Sequence, residues 1–147
     1  MRTGTFAIIM IAAIGLGIAC RPVRPPPAQD KRAEIIALWT QIRGWRHEAQ
    51  MDLDPAPDTL VGVRGLSVKV AQRVCPDGHQ VPTSCNDVCN LADAICDNAE
   101  RICDIATELG PDDKLGQEKC ESSKASCREA KQRCCRCSDT TKASFKW

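Results

Sequence analysis

Six cysteines stand in two evenly spaced triplets, and that spacing restricts the chain more than any other feature. Cys89, Cys96 and Cys103 recur every seven residues, and so do Cys120, Cys127 and Cys134. A seven-residue period keeps one stripe on one face of an α-helix. Between the triplets lies Leu109-Gly110-Pro111, a helix stop, because Gly suits the position just past the last turn and Pro cannot continue the helix. Two helices joined by so short a turn run antiparallel, so the residue numbers of facing positions add to a constant. Cys103 with Cys120, Cys96 with Cys127 and Cys89 with Cys134 all add to the same total. The spacing therefore predicts two helices, from about Ser84 to Leu109 and from about Asp113 to Arg136, joined by three disulfide rungs. Asp87, three residues after Ser84, completes a capping-box pattern.

The residues between the rungs fit the same geometry. A disulfide holds Cα atoms about 5.5–6 Å apart, closer than large side chains permit between helices. The stripe positions are Ala92, Ala99 and Ala106 on one side and Ser123 and Ala130 on the other. Val88, Ile95, Ile102 and Leu109 lie beside the cysteines and form a second apolar face for packing against N-terminal helices. Charge agrees: residues 84–109 carry six acids and one base, and residues 114–137 carry seven bases and three acids. The innermost rung closes a short loop and contributes roughly 3 kcal/mol in the chain-entropy model, the outer rungs less, since little new chain is closed. Cys75, Cys85, Cys135 and Cys137 remain, with three ways to pair. Cys85 with Cys137 falls closest to the ladder register, which would leave Cys75 for Cys135.

The first 20 residues carry an address. Met1-Arg2-Thr3 is a short basic start, and Phe6 to Ala19 is an uncharged run of 14 residues. A membrane-spanning helix needs about 20 apolar residues, so this run has the length of a signal peptide. It ends in Leu16-Gly17-Ile18-Ala19-Cys20, which resembles the lipobox of bacterial lipoproteins. Ala19 fits the small residue before the cysteine, while Gly17 departs from the usual Leu-like residue. The resemblance covers only this segment. It implies cleavage before Cys20 and acylation of that cysteine, and several acyl chains anchor stably. Arg21 in place of the Asp that retains lipoproteins of enteric bacteria in the inner membrane implies the outer membrane.

Setting Cys20 aside leaves ten of the 11 cysteines, an even number. Residues 21–29 hold four prolines and read as an extended polyproline spacer. From Lys31 to Gln50 the apolar residues Ile35, Leu38, Trp39, Ile42 and Trp45 follow a helical period, with Asp30 as cap. Arg43, Arg46 and His47 beside the tryptophans read either as a solvated basic flank or as a contact for anionic headgroups or cell-wall polymers. Over residues 58–74 the alternation of Val61, Val63, Val68 and Val70 suggests strand. With no partner strand evident, Leu60, Val63 and Val74, and Ser67 as a cap, are read as short helices, broken by Pro55, Pro57 and Gly65.

The expectation is an all-α protein: short N-terminal amphipathic helices packed on an antiparallel two-helix hairpin cross-linked by a ladder of disulfides. Its parts would be a signal peptide (1–19), a lipid-anchored Pro-rich tether (20–30), an N-terminal helical segment (31–74), the Cys-rich hairpin (75–137) and a tail (138–147). The combination is similar to Cys-rich bacterial lipoproteins of undefined activity. The hairpin also looks like the twin-cysteine hairpins of small intermembrane-space proteins, although those have wider gaps and fewer rungs.

Functionally this points to a non-enzymatic envelope lipoprotein, structural or adaptor in kind, with an envelope protein or polymer as partner. The net charge of +1, nearly cancelled once Arg2 is removed, gives no field for nucleic acid. The alternative is a metal-binding module. Cysteine stripes on helices resemble copper-storage bundles, and soft thiolates select copper(I) or zinc; Cys134-Cys135-Arg136-Cys137 and Cys75 with His79 would be the ligands. Cysteines in an oxidising compartment pair instead, so no metal or other cofactor is expected. His47 and His79 are the only histidines, and neither sits in a catalytic motif. Cys85 and Cys89 are one residue too far apart for a Cys-x-x-Cys redox pair.

Overall fold

The computed structural model describes residues 27–138, and all regular structure among them is helical. Helix α1 spans Pro27–Glu48, α2 Pro57–Gly62 and α3 Val68–Ala71. A 3-10 turn at Thr83–Cys85 leads into α4, Asn86–Leu109, and α5 spans Lys114–Arg136. The expected signal peptide, Cys20, the tether up to residue 26 and the tail from residue 139 lie outside the described residues.

Helices α4 and α5 form the antiparallel hairpin. Gly110 closes α4 with φ +93°, a left-handed backbone angle that glycine adopts without steric cost. Asp113 caps α5, its Oδ1 accepting from the Gly116 amide at 2.8 Å. The facing stripes are buried and small: Ala92, Ala99, Ala106, Ser123 and Ala130 are all at most 4% exposed. Gly116 belongs to the same seam, because a Cβ built there would lie 3.2 Å from the Cα and Cβ of Ala106.

Helix α1 lies along the hairpin, antiparallel to α4 and parallel to α5. Lys31 meets Glu108, Glu34 meets Arg101 and Gln41 meets Asn98. Along α5, Arg32 meets Asp113, Trp39 meets Lys119 and Arg46 meets Glu129. The core between the three helices joins Ile35, Trp39 and Ile42 to Ile95, Ile102 and Ile105. A second small cluster, Val63 and Ala71 against Ala125, seats α2 and α3 on another side of α5. Helix α5 is thus covered by α4, α1 and the α2–α3 pair, which explains why Ser123, Lys124, Ala125 and Ser126 are buried in succession.

Two boundaries differ from the sequence expectation. Helix α1 is already helical at Pro27, the first described residue, and so takes in the last four residues of the expected tether. Asp30 therefore lies inside the helix and not at its cap. In α4 the cap position belongs to Cys85, which makes no side-chain cap bond, and Ser84 lies within the 3-10 turn. The ambiguous valines resolve as α2 and α3, with Ser67 accepting from the Val70 amide at the start of α3.

Candidate functional site

The cysteines of residues 75–137 meet in five disulfides. Cys89–Cys134, Cys96–Cys127 and Cys103–Cys120 bridge α4 and α5, with Cα atoms 4.9, 4.7 and 4.7 Å apart. Cys85–Cys137, at 6.0 Å, extends the ladder past the ends of the helices. Cys75–Cys135, at 5.5 Å, ties the segment after α3 to the last turn of α5. Heptad spacing carries the three inner rungs, and the alanine and serine positions between them let the backbones approach. The ladder is not wholly enclosed. Cys96, Cys127 and Cys134 are buried, while Cys89, Cys103 and Cys120 are half-exposed.

Chemically, a sulfur held in a disulfide has no thiolate to offer a metal or a substrate. All ten cysteines among the described residues are so held. The ligand sets at Cys134, Cys135 and Cys137 and at Cys75 with His79 are therefore occupied by sulfur–sulfur bonds. Among the described residues no cluster of three or more His, Cys, Asp or Glu side chains is placed to hold a metal ion. Five disulfides in so short a chain belong to an oxidising compartment outside the cytoplasm. Among the described residues no helix is long and apolar enough to cross a membrane.

The basic flank of α1 divides, with Arg46 turned inward and Arg43 and His47 left in contact with solvent. Arg46 is 1% exposed and buried in the packing. Its Nε donates to the Asp52 carbonyl at 2.7 Å, and one terminal nitrogen donates to the Asp54 carbonyl at 3.2 Å and to Glu129 Oε2 at 2.7 Å. The other oxygen of Glu129 accepts from the Ala56 amide at 2.8 Å. One ion pair thus holds α1, the connection to α2, and α5 together. Arg43 pairs with Asp54. Arg46 therefore belongs to the core and not to a solvated flank, whereas Arg43, though paired, and His47 keep their exposure to solvent. Sequence periodicity contained the signal for Arg46: it follows Ile35, Trp39 and Ile42 at helical spacing, on the inward stripe.

At the opposite end, the Asp113 carboxyl is held below the usual carboxylate range, first by the Gly116 amide and then by the Arg32 guanidinium. Glu108 is lowered by its hydrogen bond and charge contact with Lys31. Lys124, 4% exposed, donates to the Leu66 carbonyl at 2.9 Å and to Glu121 at 2.7 Å, which fastens the α2–α3 connection to α5. Two open clefts flank α5. One, of about 420 Å³, exposes the Cys103–Cys120 rung between Glu100, Asp104, Lys69 and Lys124. The other, of about 460 Å³, lies beside Cys135 and is lined by Arg73, His79, Arg128, Gln132 and Arg136. The sequence reading missed this second cleft, because its two halves are far apart along the chain.

No protein-family model, curated protein or solved structure matches this chain.

Proposed function

We propose that the chain is a non-enzymatic lipoprotein of the cell envelope, anchored through lipid on Cys20, with a structural or adaptor role carried by its rigid disulfide-stapled helical hairpin. The observation that carries this reading is the set of five disulfides within residues 75–137. They require export to an oxidising compartment, and the basic start, the 14-residue uncharged run and Ala19-Cys20 are what such export and lipid attachment use. The cysteine parity agrees, since the described disulfides consume ten cysteines and leave Cys20 over. The outer membrane is the favoured location, on the identity of Arg21. An envelope protein or polymer is the partner class, because a rigid stapled hairpin suits holding and presenting a surface.

Mass spectrometry of the mature N-terminus tests the reading. The expected result is cleavage before Cys20 with acyl chains on that residue, and loss of lipid and of membrane fractionation in Cys20→Ala. An unacylated Cys20, or cleavage elsewhere, rejects the anchor. An affinity pull-down of the lipidated protein from its native envelope then identifies the partner.

A further inference from the structure

The cleft beside Cys135 brings together basic groups from two distant parts of the chain. Arg128, Gln132 and Arg136 recur every fourth residue and so stand on one face of α5. Arg73 and His79 come from the segment that follows α3. The Cys75–Cys135 disulfide, rooted at the cleft, fixes that segment against the helix. Three guanidiniums and an imidazole therefore share one concave surface, and no acidic side chain lines it.

Three other basic side chains of α5 have acidic partners: Lys119 has Glu118, Lys124 has Glu121 and Lys131 has Asp93. Arg73, Arg128 and Arg136 form no ion pair with any described residue, and Arg128 is half-buried all the same. Gathering like charges in a recess raises their mutual energy, and a bound anion relieves it. Guanidiniums match phosphate oxygens with paired N–H donors, and the Gln132 amide adds a neutral donor. The disulfide matters because it sets the geometry before any ligand arrives, so little ordering is left to binding.

We propose that this cleft binds a phosphate group. The group is either free phosphate or the phosphate of a lipid headgroup, and the same donors serve both. The cleft has room for the phosphate and part of what carries it, at about 460 Å³. It lies at the open end of the hairpin, beside the last turn of α5 and away from the Gly110–Asp113 turn.

The test uses the full-length chain in neutral dodecyl maltoside micelles, with ionic strength held constant by chloride. Calorimetric titration with inorganic phosphate is one arm, and titration with micelles carrying phosphatidic acid is the other. Saturable binding in at least one arm is expected, weakened roughly tenfold by Arg128→Gln and again by Arg136→Gln, as for loss of one charged hydrogen bond. Arg64→Gln, a basic residue outside the cleft, should leave it unchanged. Binding of inorganic phosphate supports the site with free phosphate as ligand, and binding of phosphatidic acid alone supports it with the headgroup as source. If Arg128→Gln fails to fold by circular dichroism, the exposed Arg136→Gln decides. No saturable binding in either arm, or binding that the cleft variants do not weaken, overturns the proposal. The outcome does not depend on acylation of Cys20, so it stands or falls apart from the anchoring reading.

Discussion

Arg46 shows what a single charged residue contributes when it is taken into the core together with its counter-charge. Removing the counter-charge while keeping the arginine leaves a cation buried and uncompensated. Glu129→Ala should therefore lower unfolding free energy by about 3 kcal/mol, measured by guanidinium denaturation of the oxidised protein. The same variant should expose the 49–56 connection to proteolysis, since the Ala56 amide loses its acceptor too. A change below half a kilocalorie would mean that the carbonyls of Asp52 and Asp54 suffice. Asp113 gives a second residue-level expectation, in pH. Its carboxyl is lowered in the folded state by the Gly116 amide and Arg32. The stabilisation is thus fully present above the unfolded value of about 3.9 and is lost as pH falls through the lower folded value. Asp113→Asn keeps a good cap but removes the charge, so its thermal midpoint should fall less steeply on acidification than that of the parent. Equal slopes would reject the assignment. At this scale the sequence revealed half of each pair. Arg46 continues the inward stripe and Asp113 precedes a helix, but Glu129 and Arg32 are reached only through the docking of α1, which no local pattern encodes.

Among the elements, the hairpin was the part most open to sequence reasoning, because period, turn and pairing register each constrain the others. The heptad cysteines fix which faces meet, and Gly110-Pro111 fixes where the chain turns. Helix α5 was less legible. Ser123 belongs to the expected stripe, but no local pattern marks Lys124, Ala125 and Ser126 as inward-facing; four elements enclose the run, and only the positions of α2 and α3 account for the buried Lys124. The basic cleft was missed because the expected Cys75–Cys135 pairing does not by itself say that Arg73 and His79 fold onto the face of α5 that carries Arg128 and Arg136. Two glycines separate intrinsic helix propensity from packing. Gly44, mid-helix in α1, has open space where a Cβ would go, so Gly44→Ala should stabilise by about 1 kcal/mol. A Cβ added at Gly116 would come within 3.2 Å of the Ala106 backbone, and the neighbouring Cys103–Cys120 rung stops α4 from yielding. Gly116→Ala should instead destabilise by about 1–3 kcal/mol, as overpacking does. Thermal melts of the two variants check the pair, and shifts of the same sign would contradict the close seam.

At the scale of the molecule, two kinds of cohesion coexist. Residues 75–137 are held by covalent cross-links, and residues 27–74 by apolar contacts, hydrogen bonds and ion pairs without a cross-link. Protein recovered from its envelope should show no titratable thiols among the ten hairpin cysteines, and reduction should lower helicity, because helices with a thin apolar seam are marginal in water. A majority of free thiols, with helicity kept on reduction, would return the metal-binding reading to the front. The uneven cohesion also determines how the molecule answers a pull. Tension applied at residue 27 and resisted at the hairpin meets no cross-link before Cys75, so α1 should peel from the seam while the stapled pair stays whole. The 48 residues from 27 to 74 would pay out a line of roughly 160 Å at about 3.4 Å per residue and re-dock when the load falls. The protein would then behave as a spring-loaded leash with a hard end, lengthening under strain without breaking.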